Sequence, residues 1–116
     1  MEQKFPKACR LRKTWEFQQV WKMGCKLHTP HFILLGMKNS GSVSRLGLTV
    51  SRKVGNAVKR NRLKRQIREY FRKYMGRSRQ PADLSVIAKK GAADLASRQI
   101  FSELDQAIKN LEKRCS

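Results

Sequence analysis

The chain has 116 residues, 40% of them hydrophobic, which suffices for one modest core, and 27 Lys and Arg against 8 Asp and Glu leave a net charge of +19. Such an excess repels itself in a compact state and calls for a polyanionic neighbour, nucleic acid first and an anionic membrane surface second. A run of about 18 apolar residues, as a spanning helix needs, is absent, and the N-terminal MEQKFPKACRLRKTW lacks the apolar segment of a secretory signal, so a cytoplasmic protein is expected.

Residues 1–12 are basic, contain Pro6 and read as irregular, flexible chain. KTWEFQQVWKMG then reads as a short helix, with Thr14 as its cap, Phe17, Val20 and Trp21 spaced for one face, and Gly24 as its stop. After Pro30, the four apolar residues Phe32 to Leu35 predict a strand covered on both faces. Asn39 to Ser44 is a Gly- and Ser-rich loop, and RLGLTVS alternates, with Leu46, Leu48 and Val50 on one side. These two strands are expected to pair as a hairpin. Gly55 breaks the second strand and Asn56 caps a long helix from Ala57 to about Tyr74, whose Leu63, Ile67, Tyr70, Phe71 and Tyr74 recur at helical spacing. Gly76 and RSRQP end that helix. Asp83 to Gly91 is a third strand with Lys89 and Lys90 at its exit. Ser97 caps a last helix with an apolar stripe of Ile100, Leu104, Ala107, Ile108 and Leu111.

The order α-β-β-α-β-α predicts an α/β protein of the two-layer α+β kind, a single domain over residues 1–116 with a sheet of three or four strands. Cys9, Cys25 and Cys115 are odd in number and widely spaced, so reduced thiols are expected. Cys25, His28 and His31 form a C-x2-H-x2-H run, but a structural zinc needs four ligands and a fourth is not evident nearby.

The basic residues concentrate in one place. Between Arg52 and Arg79 there are twelve, opposed only by Glu69. Solvated helices ordinarily mix signs and gain from Glu–Lys pairs at i, i+4. Here like charges stand at Arg60, Lys64, Arg68 and Arg72, an arrangement that costs energy until an anion arrives. Arg outnumbers Lys in this window and its planar fork matches phosphate oxygens, which favours a nucleic-acid backbone. A membrane helix would need a free apolar face, and the strands require that face for their core. Composition does not separate RNA from DNA. The eight acids are scattered, and Glu103 and Asp105 at i, i+2 diverge on a helix, so the carboxylate cluster that a metal-dependent nuclease requires is not visible.

The stretch LGLTVSRKVGNAVKRNRLKRQIREYFR, Leu46 to Arg72, resembles the signature of the bacterial ribonuclease P protein subunit. EFQQVWKMG and DLSVIAKKG are similar to that family's first helix and late strand, in matching order. The resemblance implies a central mixed sheet with a left-handed β-α-β crossover, against the usual right-handed rule. It implies that Ser51, Arg52, Lys53, Asn56, Lys59, Arg60, Asn61, Arg62, Lys64, Arg65 and Arg68, extended by Lys89 and Lys90, bind the catalytic RNA. It also implies a cleft in which Phe17 and Trp21, with Leu35 where the family often has an aromatic, receive the single-stranded 5′ leader of precursor tRNA. The protein itself would bind no cofactor, Mg2+ would belong to the RNA, and one protein would serve each RNA. For Phe17 and Trp21, plain core packing is the competing reading. The rival functions are a ribosomal or other structural RNA-binding protein and a DNA-binding regulator.

Overall fold

A computed structural model describes residues 10–11, 13–39, 41, 43–75 and 81–115. Helix α1 spans Thr14–Met23 and is followed by strands β1 (Cys25–His28), β2 (Phe32–Lys38) and β3 (Arg45–Thr49), helix α2 (Ala57–Met75), strand β4 (Ala82–Ala88) and helix α3 (Ser97–Cys115). Single 3-10 turns at Arg52–Val54 and Ala92–Asp94 precede α2 and α3.

The helix starts follow backbone donors that need partners. Lys13, not Thr14, holds the cap position of α1, and its N–H donates to Glu16 Oε1 at 2.9 Å. Asn56 caps α2 as predicted, its Oδ1 accepting the Lys59 N–H at 2.9 Å. At α3 the predicted cap Ser97 is already helical; Ala96 N–H donates to Gln99 Oε1 at 2.9 Å, and the Ser97 hydroxyl takes Gln66 instead.

The sheet order is β1-β2-β4-β3, with β1/β2 and β2/β4 antiparallel and β3/β4 parallel. The expected hairpin of β2 and β3 does not form, because β4 inserts between them. The reason is burial: β4, ADLSVIA, is the strand with the most buried positions and belongs at the centre. The hairpin partner of β2 is β1, a four-residue strand at a position read as the approach to a strand. The chain therefore runs α-β-β-β-α-β-α. Parallel β3 and β4 are joined through α2, the β-α-β unit that the resemblance implied. Gly91, at φ 95°, turns the chain sharply out of β4, a conformation that favours glycine.

Alternation along the strands divides the interior in two. Phe32, Leu34, Leu84, Val86 and Ala88 face α2 and α3, where Leu63, Ile67, Phe71, Ile100, Leu104, Ile108 and Leu111 complete the main core. Tyr70 packs edge-on against Phe71 at 5.2 Å and donates to Asp105 at 2.9 Å. On the opposite face Leu35, Val20 and Leu11 form a second, smaller cluster under α1. The helices thus cover both faces of a mixed sheet, an α+β fold. Among the described residues, no helix is long and apolar enough to cross a membrane.

Cys25 is disulfide-bonded, contrary to the expected reduced thiol, and its partner sulfur lies outside the described side chains. The end of α3 reaches this strand, where Arg114 donates to Lys26 O at 2.7 Å. Cys25, His28 and His31 do not converge. Cys25 packs towards α3, whereas His28 lies exposed three residues further along the strand. His31 turns to Glu103 at 2.8 Å.

The β1–β2 turn is held by Glu103, which accepts from Thr29 Oγ1 at 2.6 Å and from His31 N at 2.8 Å. Burial works against this carboxylate, yet the Thr29 and His31 hydrogen bonds outweigh it and hold it below its ordinary range. A depressed folded pKa means stability that is complete above the unfolded value, 4.5, and is lost as pH falls through the folded one. Glu103→Gln is therefore expected to cost about 1–2 kcal/mol at neutral pH. In thermal melts the difference from wild type should shrink at acid pH; a constant difference would show that the carboxylate charge is irrelevant there.

Candidate nucleic-acid interface

The face of the sheet under α1 can be read as three rows running across the strands. Met37, Asp83 and Arg45 share one row by register. Lys26, Leu35, Ser85 and Gly47 share the next, and His28, Ile33, Ile87 and Thr49 the third.

The first row is a polar clamp. Arg45 grips the buried Asp83 with Nε at 2.9 Å and Nη2 at 2.6 Å, and its Nη1 donates to Glu16 on α1. The bond to Asp83 outweighs the cost of burial and raises the Arg45 pKa further above its ordinary value. Asn39 also donates to Asp83, at 2.9 Å. Sequence reading did not find this network, whose members are far apart in the chain.

The second row lies beneath the helix. Leu35 is 2% exposed and packs with Val20 and Leu11, so it is floor rather than wall. Phe17 is half-buried over Gly47. Trp21, one turn on, is 51% exposed, with Lys26 Nζ 3.8 Å from its ring centroid. The two aromatics therefore part company. Phe17 is part of the packing and Trp21 is not.

The third row lies further along the strands. Ile33 and Ile87 are half-buried, and His28 and Thr49 are exposed. Ile33 and Ile87 thus form a half-buried apolar strip between the exposed His28 and Thr49, and Ile87, like Phe17, packs against the Leu11, Val20 and Leu35 cluster. The alternation of β2 and β4 was the only sequence signal for Ile33 and Ile87, and it has meaning only once the strands are known to be neighbours.

Beyond this strip the parallel strands β3 and β4 stop, and the basic residues begin. Ser51, Arg52 and Lys53 are exposed in the turn after β3, and Lys90 is exposed after β4. Lys89 is committed elsewhere, with Nζ donating to Thr29 O at 2.7 Å. On α2, Lys59 pairs with Asp94 at 3.1 Å, Gln66 bonds Ser97 and Tyr70 bonds Asp105, so this flank is tied towards α3. Arg60 anchors its own helix start by donating to Gly55 O at 3.1 Å. Asn61, Arg62 and Arg65 are exposed, and Lys64 and Arg68 are half-buried on the other flank. The lone acid of this helix, Glu69, is taken by Arg72 at 2.8 Å. Arg77 and Arg79 lie outside the described residues.

Arg10 carries no local pattern that would single it out. It bridges to Leu46 on the edge of β3, so its side chain shares the α2 side of the sheet with Leu46. Its Nε is buried without a hydrogen-bond partner. Burial, and then the charge of Arg10, lower the pKa of Arg68. Two guanidiniums are thus held near one another on the α2 side of the sheet, an arrangement that an anion would relieve.

The seven described acids are each tied to a structural partner: Glu16 and Asp83 to Arg45, Glu69 to Arg72, Asp94 to Lys59, Glu103 to His31, Asp105 to Tyr70 and Lys109, and Glu112 to Tyr74. They are dispersed over the molecule, and no group of three His, Cys, Asp or Glu among the described residues could hold a metal ion.

Comparison with known proteins identifies relatives over nearly the whole length. A family model described as ribonuclease P matches residues 5–112. The ribonuclease P protein component of Citrifermentans bemidjiense is 46% identical over 110 residues, covering 95% of this chain and 94% of the relative. That of Geotalea uraniireducens is 44% identical, covering 94% and 96%. The Staphylococcus aureus RNase P protein structure superposes with a TM-score of 0.80 at 36% identity, covering 89% of this chain and 94% of that one. The Thermotoga maritima RNase P protein gives 0.75 at 33%, covering 90% and 96%.

Proposed function

The chain belongs to the ribonuclease P protein family, the protein component of an RNA-based endoribonuclease, and from that premise we propose how its surface is divided between two RNA ligands. The outer flank of α2, with Asn61, Arg62, Lys64, Arg65 and Arg68, binds the phosphate backbone of ribonuclease P RNA, and Ser51, Arg52, Lys53 and Lys90 extend it. Arg10 joins Arg68 in seating one phosphate. Asn56, Lys59, Arg60 and Lys89 act mainly by fixing the local backbone, since their polar atoms already have partners inside the protein.

The open groove beside α1 receives the unpaired 5′ leader of precursor tRNA, with bases stacking on Phe17 and Trp21 above Ile33 and Ile87 and with Leu35 as buried floor. Aromatic platforms are the usual means of holding unpaired bases. Removal of the leader uses Mg2+ held by the RNA, since the described carboxylates of this chain are engaged by its own side chains. One protein, acting as a single cytoplasmic domain, serves one RNA.

The observation that carries this reading is a basic, solvent-facing flank of α2 beside a sheet face that presents half-buried Phe17, Ile33 and Ile87 and the exposed ring of Trp21. The test is reconstitution with ribonuclease P RNA and precursor tRNA at low Mg2+. The protein should raise the rate of 5′ cleavage; no gain would instead favour a structural RNA-binding protein or a DNA regulator. A narrower expectation concerns Arg68. Arg68→Ala should weaken binding to the RNA and flatten the plot of log affinity against log salt by about one unit. An unaltered slope would remove Arg68 from the phosphate contacts.

A further inference from the structure

The groove depends on where the Phe17 ring lies, and the structure gives that ring an unusual support. A Cβ built on Gly47 would stand 2.3 Å from Phe17 Cε1 and 2.6 Å from Cζ. Real Cβ atoms do not approach other carbons so closely. The ring therefore lies directly on the bare backbone of β3, in the space that any other residue would fill with its side chain. Leu11 Cβ, at 3.1 Å from the same point, closes the pocket from the N-terminal side.

The neighbouring contact fixes the helix in the same place. Glu16, adjacent to Phe17, is held by Arg45, which precedes Gly47 by two residues on the same face of β3. Two successive residues of α1 are thus docked on two successive outward positions of one strand, one by charge and one by the absence of a side chain. By contrast Trp21 has Lys26 over its ring and is half in solvent.

We propose that Gly47 is a positioning residue for leader recognition: its bare backbone sets the depth of the Phe17 ring, and so keeps the row of Ile33 and Ile87 open to an unpaired base. The inference rests on the reading of this groove as the leader site. A methyl group at position 47 pushes the far end of the ring, which is the movable part of the side chain, out towards the open row. The fold keeps its main core, which lies on the other face of the sheet, while the base loses its place.

The experiment measures affinity of the reconstituted holoenzyme for precursor tRNA with a leader and for mature tRNA, using wild type, Gly47→Ala, Phe17→Ala and the double variant. Melting temperature and affinity for ribonuclease P RNA are recorded for each. Gly47→Ala is expected to lower the preference for leader-bearing substrate about tenfold, as loss of one stacked base would, with affinity for ribonuclease P RNA unchanged. The double variant should match Phe17→Ala, because the methyl group has nothing left to displace. Should Gly47→Ala alone fail to fold, the double variant must fold and keep the discrimination of Phe17→Ala. A double variant that also fails to fold, or a Gly47→Ala protein that keeps full preference while Phe17→Ala loses it, overturns the role of Gly47. If Phe17→Ala itself keeps full preference, the leader groove is misplaced and the inference falls with it.

Discussion

Replacing Arg62, Lys64, Arg65 and Arg68 together by alanine should reduce affinity for ribonuclease P RNA about 100-fold at roughly 0.2 M salt and flatten its salt dependence by about three units. The estimate follows from counterion release. A basic residue on a phosphate contributes about 0.7–0.9 units of slope, so four contribute about three. Each unit is worth a factor of about five between roughly 0.2 and 1 M salt, and three units multiply to about 100. The four residues lie on the flank of α2 that is not tied to α3, and none belongs to the buried core. Their removal also relieves like-charge neighbours at i, i+4, which oppose helix formation by a few tenths of a kcal/mol each. The variant should therefore melt no lower than wild type while binding far less well. Salt titrations of RNA binding, paired with melting curves, decide the matter. A loss of affinity that persists unchanged at high salt would mean that these residues act through shape rather than charge.

The parts of this molecule that were legible in the sequence are those written in local periodicity. The stripe Leu63, Ile67, Tyr70, Phe71 on α2 and the stripe Ile100, Leu104, Ala107, Ile108, Leu111 on α3 are buried as their spacing requires. The Asn56 cap is where a short polar side chain before a helix belongs. The pairing of strands was not legible in this way. The Gly- and Ser-rich loop 39–44 looked like a hairpin turn, yet β4, fifty residues from β2, is more completely buried and takes the place between β2 and β3. Sequence adjacency is a fair guide to strand adjacency, but burial overrides it. The same limit governs the site. The charge of the α2 flank is a property of consecutive residues and could be read directly. The groove is a property of register, because Ile33 and Ile87 become neighbours only through the β2–β4 ladder. Phe17 and Trp21 share a spacing and still differ, since Phe17 meets a glycine across the interface and Trp21 meets a lysine. Arg10 was hidden for the same reason: its significance lies in Leu46 and Arg68, neither of which is near it in the chain.

Asp83→Ala is expected to destabilise the fold strongly, costing about 2–3 kcal/mol and lowering the melting temperature by about 10 °C. Asp83 is 2% exposed and receives both Nε and Nη2 of Arg45 as well as Asn39 Nδ2. Removing its carboxylate leaves the Arg45 guanidinium, itself 29% exposed, to Glu16 and solvent, and removes one acceptor of Asn39, so the buried Asp83 end of the pair carries most of the cost. In a protein of this size the loss is a large share of a total stability of about 5–15 kcal/mol. The damage should not be uniform. Arg45 is the link between β3 and Glu16, so α1 loosens first, while α2 and α3 retain their own core on the opposite face. Below its lowered melting temperature, the variant should bind ribonuclease P RNA with near-normal affinity and yet discriminate poorly between leader-bearing and mature tRNA. Asp83→Asn, which keeps one acceptor and removes the charge, should fall between wild type and Asp83→Ala. A loss below about 1 kcal/mol for Asp83→Ala would place the pair among solvent-screened surface bridges. Glu16 alone would then suffice to hold Arg45, and the clamp would not be what seats the helix over its strand.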